Sequence, residues 1–163
     1  MIRVFTFFTS ALFLGIARGE VCKPEDGVNK VLTALQSNTY YLTGTTNSSR
    51  EACYYVTATE PFDACQSGTQ VTYGYKKNGR EWVNSTGVVS GTGNVFSSDI
   101  HGPLCGMTVE ARGGNCFTLR NNNATEMWVT KESVDTPPSC CKEAFDTHRG
   151  TNRYQTTYEG EVC

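Results

Sequence analysis

The sequence has little excess charge of either sign. Fourteen Lys and Arg residues face sixteen Asp and Glu residues, for a formal net charge of -2. A nucleic-acid-binding face needs an excess of basic residues to neutralise phosphates, and a membrane-surface protein needs a polybasic patch. After residue 19, no apolar run is long enough to span a bilayer. The near-neutral charge and the lack of a long apolar run therefore argue against nucleic-acid and membrane partners.

Catalytic and metal-binding motifs are also missing. There are only two histidines, His101 and His148, and they lie far apart in the sequence. No Cys-x-x-Cys pair, Gly-x-Ser-x-Gly nucleophile elbow or His-Glu-x-x-His metal motif occurs. The sequence therefore predicts a binding protein with no enzymatic activity, no metal and no cofactor, and we expect a monomer.

The first 19 residues have the pattern of a secretory signal. Arg3 gives a positive start, residues 4–16 are apolar apart from three hydroxyl residues, and Ala17 and Gly19 are small residues suited to cleavage. We expect residues 1–19 to be a signal peptide, residues 20–163 to form one domain, and the protein to be secreted.

In an exported protein, cysteines are expected to form disulfides. An even number in an exported chain predicts a disulfide framework, and eight cysteines allow 105 pairings. Adjacent cysteines on a helix diverge by about 100° and should reach different partners. The eight are Cys22, Cys53, Cys65, Cys105, Cys116, Cys140, Cys141 and Cys163.

Three Asn-x-Ser/Thr triplets are candidate glycosylation sites, at Asn47, Asn84 and Asn123. Asn47 and Asn123 lie in polar, turn-like segments. Asn84 falls within a predicted strand, so a sugar there would require its side chain to point outward.

Hydrophobic periodicity divides the chain into a helix, a block of strands and a second helix. Val28, Val31, Leu32 and Leu35 repeat at helical spacing after Pro24. A second helix is predicted from a cap at Ser139 to a stop at Gly150. Between them the period is two, and eight strands are predicted: 40–45, 53–59, 70–76, 81–89, 94–98, 107–111, 116–120 and 125–130.

Turn residues separate these strands. The Asn78-Gly79 pair is a strong hairpin signal, and Gly91-Thr92-Gly93 and residues 112–115 also predict turns. Eight short strands with helices only at the two ends favour an all-β, eight-stranded antiparallel up-and-down barrel, whose interior has room for one small ligand. A two-sheet sandwich is the alternative, and it leaves the flanking helices unexplained.

The C-terminal half resembles a known family. Cys116, the segment Glu126-Met127-Trp128, the Cys140-Cys141 pair and Cys163 are similar to the salivary lipocalins of soft ticks, which include moubatin-like complement and leukotriene binders and biogenic-amine binders. Cys22 and Cys53 fall where that family places its first two cysteines. The resemblance implies the disulfides Cys22–Cys140, Cys53–Cys163 and Cys116–Cys141, and we expect the remaining Cys65 and Cys105 to pair with each other.

The resemblance also implies a ligand inside the barrel, and one candidate class is a biogenic amine. A buried cation needs carboxylates and aromatic faces to replace its water. Glu126 and Trp128 are two apart on a strand and face the same way. Glu126 could meet an ammonium or hydroxyl group, or it could face solvent or pair with an arginine. Asp99 and Glu110 are reserve carboxylates. The amine binders carry an Asp after the cysteine that Cys116 matches, where this chain has Phe117.

The other candidate class is an eicosanoid or fatty acid, which needs an apolar tunnel and a cation or hydroxyl for its carboxylate. Arg80, Arg112 and Arg120 are possible anchors, although each lies at a strand end where a solvated role is the alternative. Candidate wall residues, which could equally fill the core, are Tyr41, Tyr55, Tyr73, Tyr75, Phe96, Met107, Val109, Phe117 and Leu119.

Together with the secretory signal, the resemblance implies a secreted protein that sequesters a small host inflammatory or haemostatic mediator, such as histamine, serotonin or a leukotriene. The alternative is an inhibitor that binds a host protein, such as a complement component, through its surface loops.

Overall fold

A computed structural model describes residues 22, 25–59, 68–98, 102–160 and 162–163. The predicted signal peptide, Pro24, Cys65, Asp99 and His101 lie outside these residues. Within them, no helix has both the length and the apolar character needed to cross a bilayer.

Two α-helices flank eight strands along the chain. The helices are α1 (Gly27–Ser37) and α2 (Ser139–Arg149), and a short 3-10 helix (Lys131–Ser133) follows the last strand. The strands are β1 (Tyr40–Thr45), β2 (Ala52–Ala58), β3 (Thr69–Lys77), β4 (Glu81–Thr92), β5 (Val95–Ser98), β6 (Thr108–Arg112), β7 (Cys116–Arg120) and β8 (Thr125–Thr130).

The strands form one closed barrel in which each pairs with its sequence neighbour and β8 pairs back to β1, all antiparallel. The prediction of an eight-stranded up-and-down barrel is therefore confirmed. Because consecutive strands run antiparallel, the β1–β2, β3–β4, β5–β6 and β7–β8 connections share one end, which we call the mouth.

Helix α1 packs across the opposite end. Its buried stripe includes the predicted Val28, Val31, Leu32 and Leu35. The Val28 amide donates to the Gly93 carbonyl of the β4–β5 turn at 3.0 Å. A Cβ on Gly27 would lie 2.9 Å from the Cβ of Val109, so the absence of a side chain lets the helix approach the wall.

Helix α2 packs on the outside of the barrel. Phe145 and Cys141 join Cys116, Met127 and Val129 in a second, outer apolar cluster. Disulfides Cys22–Cys140, Cys53–Cys163 and Cys116–Cys141 are all present as expected, and they tie α2 and the C-terminal tail to the chain. The expected Cys65–Cys105 bridge stays a prediction because Cys65 is outside the described residues.

Two local predictions were wrong in detail. Strand β4 continues through Gly91 and Thr92, because Gly91 pairs with Phe96 and Thr92 pairs with Val95 of β5. The chain turns at Gly93 and Asn94 instead. Ser139 is the first helical residue of α2 and not its cap; Pro138 takes the cap position without a side-chain hydrogen bond.

Candidate functional site

The interior of the barrel is lined by aromatic and aliphatic side chains from every strand. Alternation along β7 and β8 sends Phe117, Leu119 and Trp128 inward, where they join a single core cluster with α1. Thr118, Met127 and Val129 point outward beneath α2. The interior is therefore apolar over most of its length, and its few polar groups stand out.

The main polar feature is a buried ion pair near the mouth. Glu126, on β8, is fully buried, and its Oε1 lies 2.7 Å from Nε of Arg50, whose side chain is 17% exposed. Arg50 comes from the β1–β2 loop, and its Nη2 donates to the Pro103 carbonyl of the β5–β6 loop at 3.2 Å. One guanidinium thus links two mouth loops to a carboxylate on the inner wall.

Glu126 has further partners within the wall. Trp128 Nε1 donates to its second oxygen, Oε2, at 3.3 Å, and Thr45 Oγ1 approaches Oε1 at 3.5 Å. Both carboxylate oxygens are therefore engaged, as a buried charge requires.

Burial and pairing act on this site in opposite directions. Burial raises the pKa of Glu126 above the 4.5 of an ordinary glutamate, although Arg50 and the Trp128 N–H favour its charged form. Burial alone would lower the pKa of Arg50, but the Glu126 carboxylate beside it raises that pKa overall. Arg50 therefore stays charged, and Glu126 is the group that acid would neutralise.

Aromatic rings surround the ion pair. The Arg50 guanidinium lies 5.0 Å from the centroid of the Tyr54 ring. Tyr54 stacks on Tyr75 at 5.0 Å and meets Trp128 edge-on at 6.3 Å. Trp128 in turn stacks on Phe117 at 6.0 Å. These rings form a continuous wall on which a flat or apolar ligand could lie.

Among the described residues, solvent reaches the inner face of the β3–β4 hairpin. Ser85 is the cross-strand partner of the buried Tyr73 and faces the same way, yet it is exposed. Val83 and its partner Tyr75 are half-buried. Access to the interior therefore lies beside the rings that surround Arg50.

The structure brings together several predicted site residues. Glu126 and Trp128 face inward and contact each other. The other predicted residues that belong to the same interior cluster, or pack against it, are Tyr73, Tyr75, Phe96, Met107, Val109, Phe117 and Leu119.

Three predicted site residues lie on the outer face, and for them the prediction was wrong. Tyr41 and Tyr55 contact each other outside the barrel, because Tyr40 and Tyr54 take the inward positions. Glu110 pairs with Arg120 at 3.5 Å and with His148 of α2 at 3.4 Å on the outside. Asp99 is outside the described residues.

Two of the three candidate anchors lie on the surface, in the solvated role that was the alternative for them. Arg120 belongs to the outer Glu110 pair, and Arg80 is exposed in the β3–β4 turn. Arg112 lies beside Tyr40 at the α1 end, where it opposes the burial that raises the pKa of Tyr40. Arg50, which the sequence reasoning missed, holds the mouth position; in the sequence it is one charged residue in a short polar loop.

Comparison with known proteins identifies solved structures with a similar fold. No protein-family model and no curated protein matches the chain. Among solved structures, AM182 in its serotonin complex is similar, with a TM-score of 0.66, 24% identity and coverage of 82% of this chain and 92% of AM182. Japanin from Rhipicephalus appendiculatus bound to cholesterol has a TM-score of 0.58 and 14% identity, over 80% of this chain and 97% of Japanin.

Lobster apocrustacyanin A1 is also similar, with a TM-score of 0.54 and 16% identity, over 91% of this chain and 95% of its own. The described part of the chain contains no cluster of side chains arranged to hold a metal ion. The closed barrel, the helix across one end, the outer helix and these likenesses show that the chain has the lipocalin fold.

Proposed function

We propose that this chain is a secreted salivary lipocalin of the tick type that sequesters a small mediator inside its barrel. The ligand class that the geometry favours is an acidic lipid of the eicosanoid kind, with its carboxylate at Arg50 and its apolar chain along the aromatic wall. The observation that carries this proposal is the partly buried guanidinium of Arg50, which lies over the Tyr54 ring, while Tyr54 stacks on Tyr75 of the β3–β4 hairpin.

The hydrogen bonds of the ion pair favour an anion over a cation. Both oxygens of Glu126 already accept hydrogen bonds, so an incoming ammonium would have to displace Arg50. Arg50 gives its Nε to Glu126 and one Nη2 donor to Pro103, and its side chain also interacts with that of Tyr54. A guanidinium has five N–H donors, so among the described residues these contacts do not use all of them, and a further donor suits a carboxylate or a hydroxyl group.

The rings near Arg50 favour an apolar body for the ligand. The guanidinium contacts the Tyr54 ring, and Tyr54 in turn contacts the rings of Tyr75 and Trp128. A lipid chain placed against them would lose apolar surface to water, at about 25 cal/mol per Å². Such a protein acts by stoichiometric capture, without turnover.

A biogenic amine is the second candidate. Glu126 is a buried carboxylate that accepts from Trp128 Nε1, and Trp128 meets Tyr54 edge-on, so a carboxylate and aromatic rings of the kind that bind an ammonium group lie close together. The likeness to AM182, solved with serotonin, adds support. In this alternative the Arg50 guanidinium occupies the cation position in the ligand-free protein. The ligand amine replaces it beside Glu126, and the Arg50 side chain turns outward to solvent.

Isothermal calorimetry with leukotriene, serotonin and histamine tests these alternatives. For an acidic lipid, Arg50→Gln should weaken leukotriene binding at least tenfold, since it removes a charge-assisted contact worth about 1.5–3 kcal/mol. For an amine, Glu126→Gln should abolish amine binding, and Arg50→Gln should strengthen it by removing the competing cation.

Matched controls exist on the outer face. Arg120→Gln and Glu110→Gln remove the same charges from a solvent-exposed pair and should leave binding unchanged. Amine binding without leukotriene binding would reject the acidic-lipid proposal. If no ligand binds and the protein still blocks complement lysis, the function lies on its surface loops.

Lowering the pH should change the affinity for the two candidate ligand classes in opposite directions. Because burial raises the pKa of Glu126, its proton is taken up at a pH above that of an ordinary glutamate. Protonation releases Arg50 from its partner, so leukotriene affinity should rise as the pH falls toward 5, whereas amine affinity should fall. Titration calorimetry at several pH values measures the direction, and Glu126→Gln should remove most of the dependence.

A further inference from the structure

A row of aromatic side chains crosses the outer face of the barrel, away from the ligand site. Tyr158 of the tail meets Tyr41 at 5.1 Å, Tyr41 meets Tyr55 at 6.5 Å, and Tyr55 meets Trp82 edge-on at 5.8 Å. Trp82 is 42% exposed, an unusual position for a tryptophan. The Lys76 ammonium lies 5.3 Å from its ring centroid. Part of the ring remains open to solvent.

Asn84 stands directly beside this exposed ring. It is two residues after Trp82 on β4, so both side chains point outward. The Tyr55 hydroxyl donates to its Oδ1 at 3.0 Å. The Tyr55 ring reaches Asn84 by lying across Gly74, where a Cβ would come within 2.7 Å of the ring. The amide is thus held by its oxygen, and within the described residues its Nδ2 makes no hydrogen bond.

We propose that Asn84 carries an N-linked glycan whose first N-acetylglucosamine packs on Trp82 and Tyr55. Asn84-Ser85-Thr86 is an acceptor triplet, and its asparagine is exposed on a strand. A sugar ring presents C–H groups on one face, and an exposed indole offers the matching flat, electron-rich surface. The sugar covers apolar area that would otherwise face water in an exported protein.

The attachment is the ordinary glycosyl transfer of the secretory pathway. Nδ2 of Asn84 forms a bond to C1 of the sugar, and the bond from C1 to the pyrophosphate oxygen of a lipid-linked oligosaccharide breaks. The pyrophosphate leaves with the bonding electrons, and one amide proton is lost to the medium. The Oδ1 acceptor is unchanged, so the hydrogen bond from Tyr55 persists in the product.

The other two triplets provide an internal comparison. Asn123 is exposed in the β7–β8 turn among asparagines, where its amide N–H donates to Asn121 Oδ1 at 2.8 Å. Asn47 is half-buried, and its own Oδ1 accepts from the Ser49 amide at 3.0 Å. Neither has a ring contact among the described residues, so a glycan at Asn123 serves as the control for one at Asn84.

Tryptophan fluorescence gives a direct readout. The chain has two tryptophans, and Trp128 is fully buried, so acrylamide quenching reports on Trp82. For this test the protein is expressed in insect cells and collected from the medium. Glycopeptide mass spectrometry should find a glycan on Asn84. Complete enzymatic removal of the glycan should raise the quenching constant about twofold, since one face of the ring is uncovered. Trimming to a single N-acetylglucosamine should leave the constant unchanged.

Variants separate the glycan from the amide. Thr86→Val destroys the triplet while keeping Asn84, and it should give the quenching of the fully deglycosylated protein. Asn123→Gln should have no effect on quenching. The proposal is overturned if Asn84 is unmodified in the secreted protein, if complete removal leaves quenching unchanged, or if protection is lost on trimming to one sugar. It is independent of the ligand, so leukotriene or amine binding does not bear on it.

Discussion

Breaking the Arg50–Glu126 pair from one side should destabilise the fold strongly. The two charged groups are 2.7 Å apart, with Glu126 fully buried and Arg50 17% exposed. Removing one member of a buried pair costs about 3–5 kcal/mol, because the other charge stays buried without a partner. Arg50 reaches solvent, so the lower end, about 3 kcal/mol, applies to Arg50→Met. That corresponds to a fall in Tm of roughly 6–12 °C for a domain of this size.

The cost should depend on pH, because the remaining carboxyl can take up a proton. In Arg50→Met the partner that lowers the pKa of Glu126 is gone, so burial raises that pKa further. A folded-state pKa above the unfolded one favours folding at low pH, and that contribution is lost as the pH rises through the folded value. The destabilisation by Arg50→Met should therefore be small near pH 5 and large at pH 8.

Urea unfolding of the disulfide-intact protein at both pH values measures this. Glu126→Gln should cost less than Arg50→Met, since the freed arginine sits on a mouth loop and can turn to water. The double variant Arg50→Met/Glu126→Gln should recover most of the loss, because no unpaired charge remains. Arg120→Met, which breaks the exposed pair with Glu110, should cost less than about 1 kcal/mol.

A different set of results would refute this reasoning. If Arg50→Met costs the same at pH 5 and pH 8, and the double variant is no better, then the loss comes from packing of the guanidinium on the Tyr54 ring and not from charge. Losses below about 1 kcal/mol in both single variants would mean that the pair behaves as a surface ion pair.

Two further predictions concern the contacts that hold the helices to the barrel. Gly91→Ala places a Cβ 2.4 Å from the Val95 carbonyl oxygen of β5 and 2.8 Å from the Val28 side chain of α1, and should destabilise by about 1–3 kcal/mol through overpacking, read as a lower urea midpoint. Replacing Cys116 and Cys141 by serine opens a bridge with a sequence separation of 25, and should cost about 3.5 kcal/mol in the chain-entropy model, measured by calorimetric unfolding.

Sequence patterns located the strands well because each strand carries its own signal. Strands β1, β7 and β8 match their predicted bounds, and turn residues mark the hairpins. The bounds of the other strands differ from the prediction by up to three residues, most in β4, where Gly91 and Thr92 were predicted as turn residues but lie in a pairing strand. Glycine permits a turn without requiring one, so tertiary pairing decided the outcome.

The direction in which side chains face was harder to predict, since one irregular residue reverses the alternation. In β2 the register shifts between Ala52 and Tyr55, and Cys53 has a φ of 57°. The shift puts Tyr54 inside and Tyr55 outside, and both are tyrosines, so composition cannot distinguish them. Bulges of this kind depend on contacts across the barrel, which no local pattern contains.

The identity of the arginine that pairs with Glu126 could not be predicted from the sequence, for a related reason. Arg50 and Glu126 are 76 residues apart, one on a loop and one on a strand, and an arginine in a polar loop is usually solvated. The sequence indicated that Glu126 could face the interior or pair with an arginine. The structure combines the two alternatives, because the arginine reaches inward from the mouth.

The C-terminal tail explains how a loop arginine is held in place. Gln155 pairs its backbone with Thr45, at the end of β1, in an isolated antiparallel bridge with hydrogen bonds of 2.9 and 3.1 Å. Its side-chain amide donates to the carbonyls of Asn47 and Arg50 at 3.1 and 3.0 Å. The tail itself is tied to β2 by Cys53–Cys163. A continuous set of contacts thus runs from the disulfide through the tail and the β1–β2 loop to the ion pair. Because these contacts fix the backbone of the loop, they reduce the conformational freedom that Arg50 would lose on pairing with Glu126.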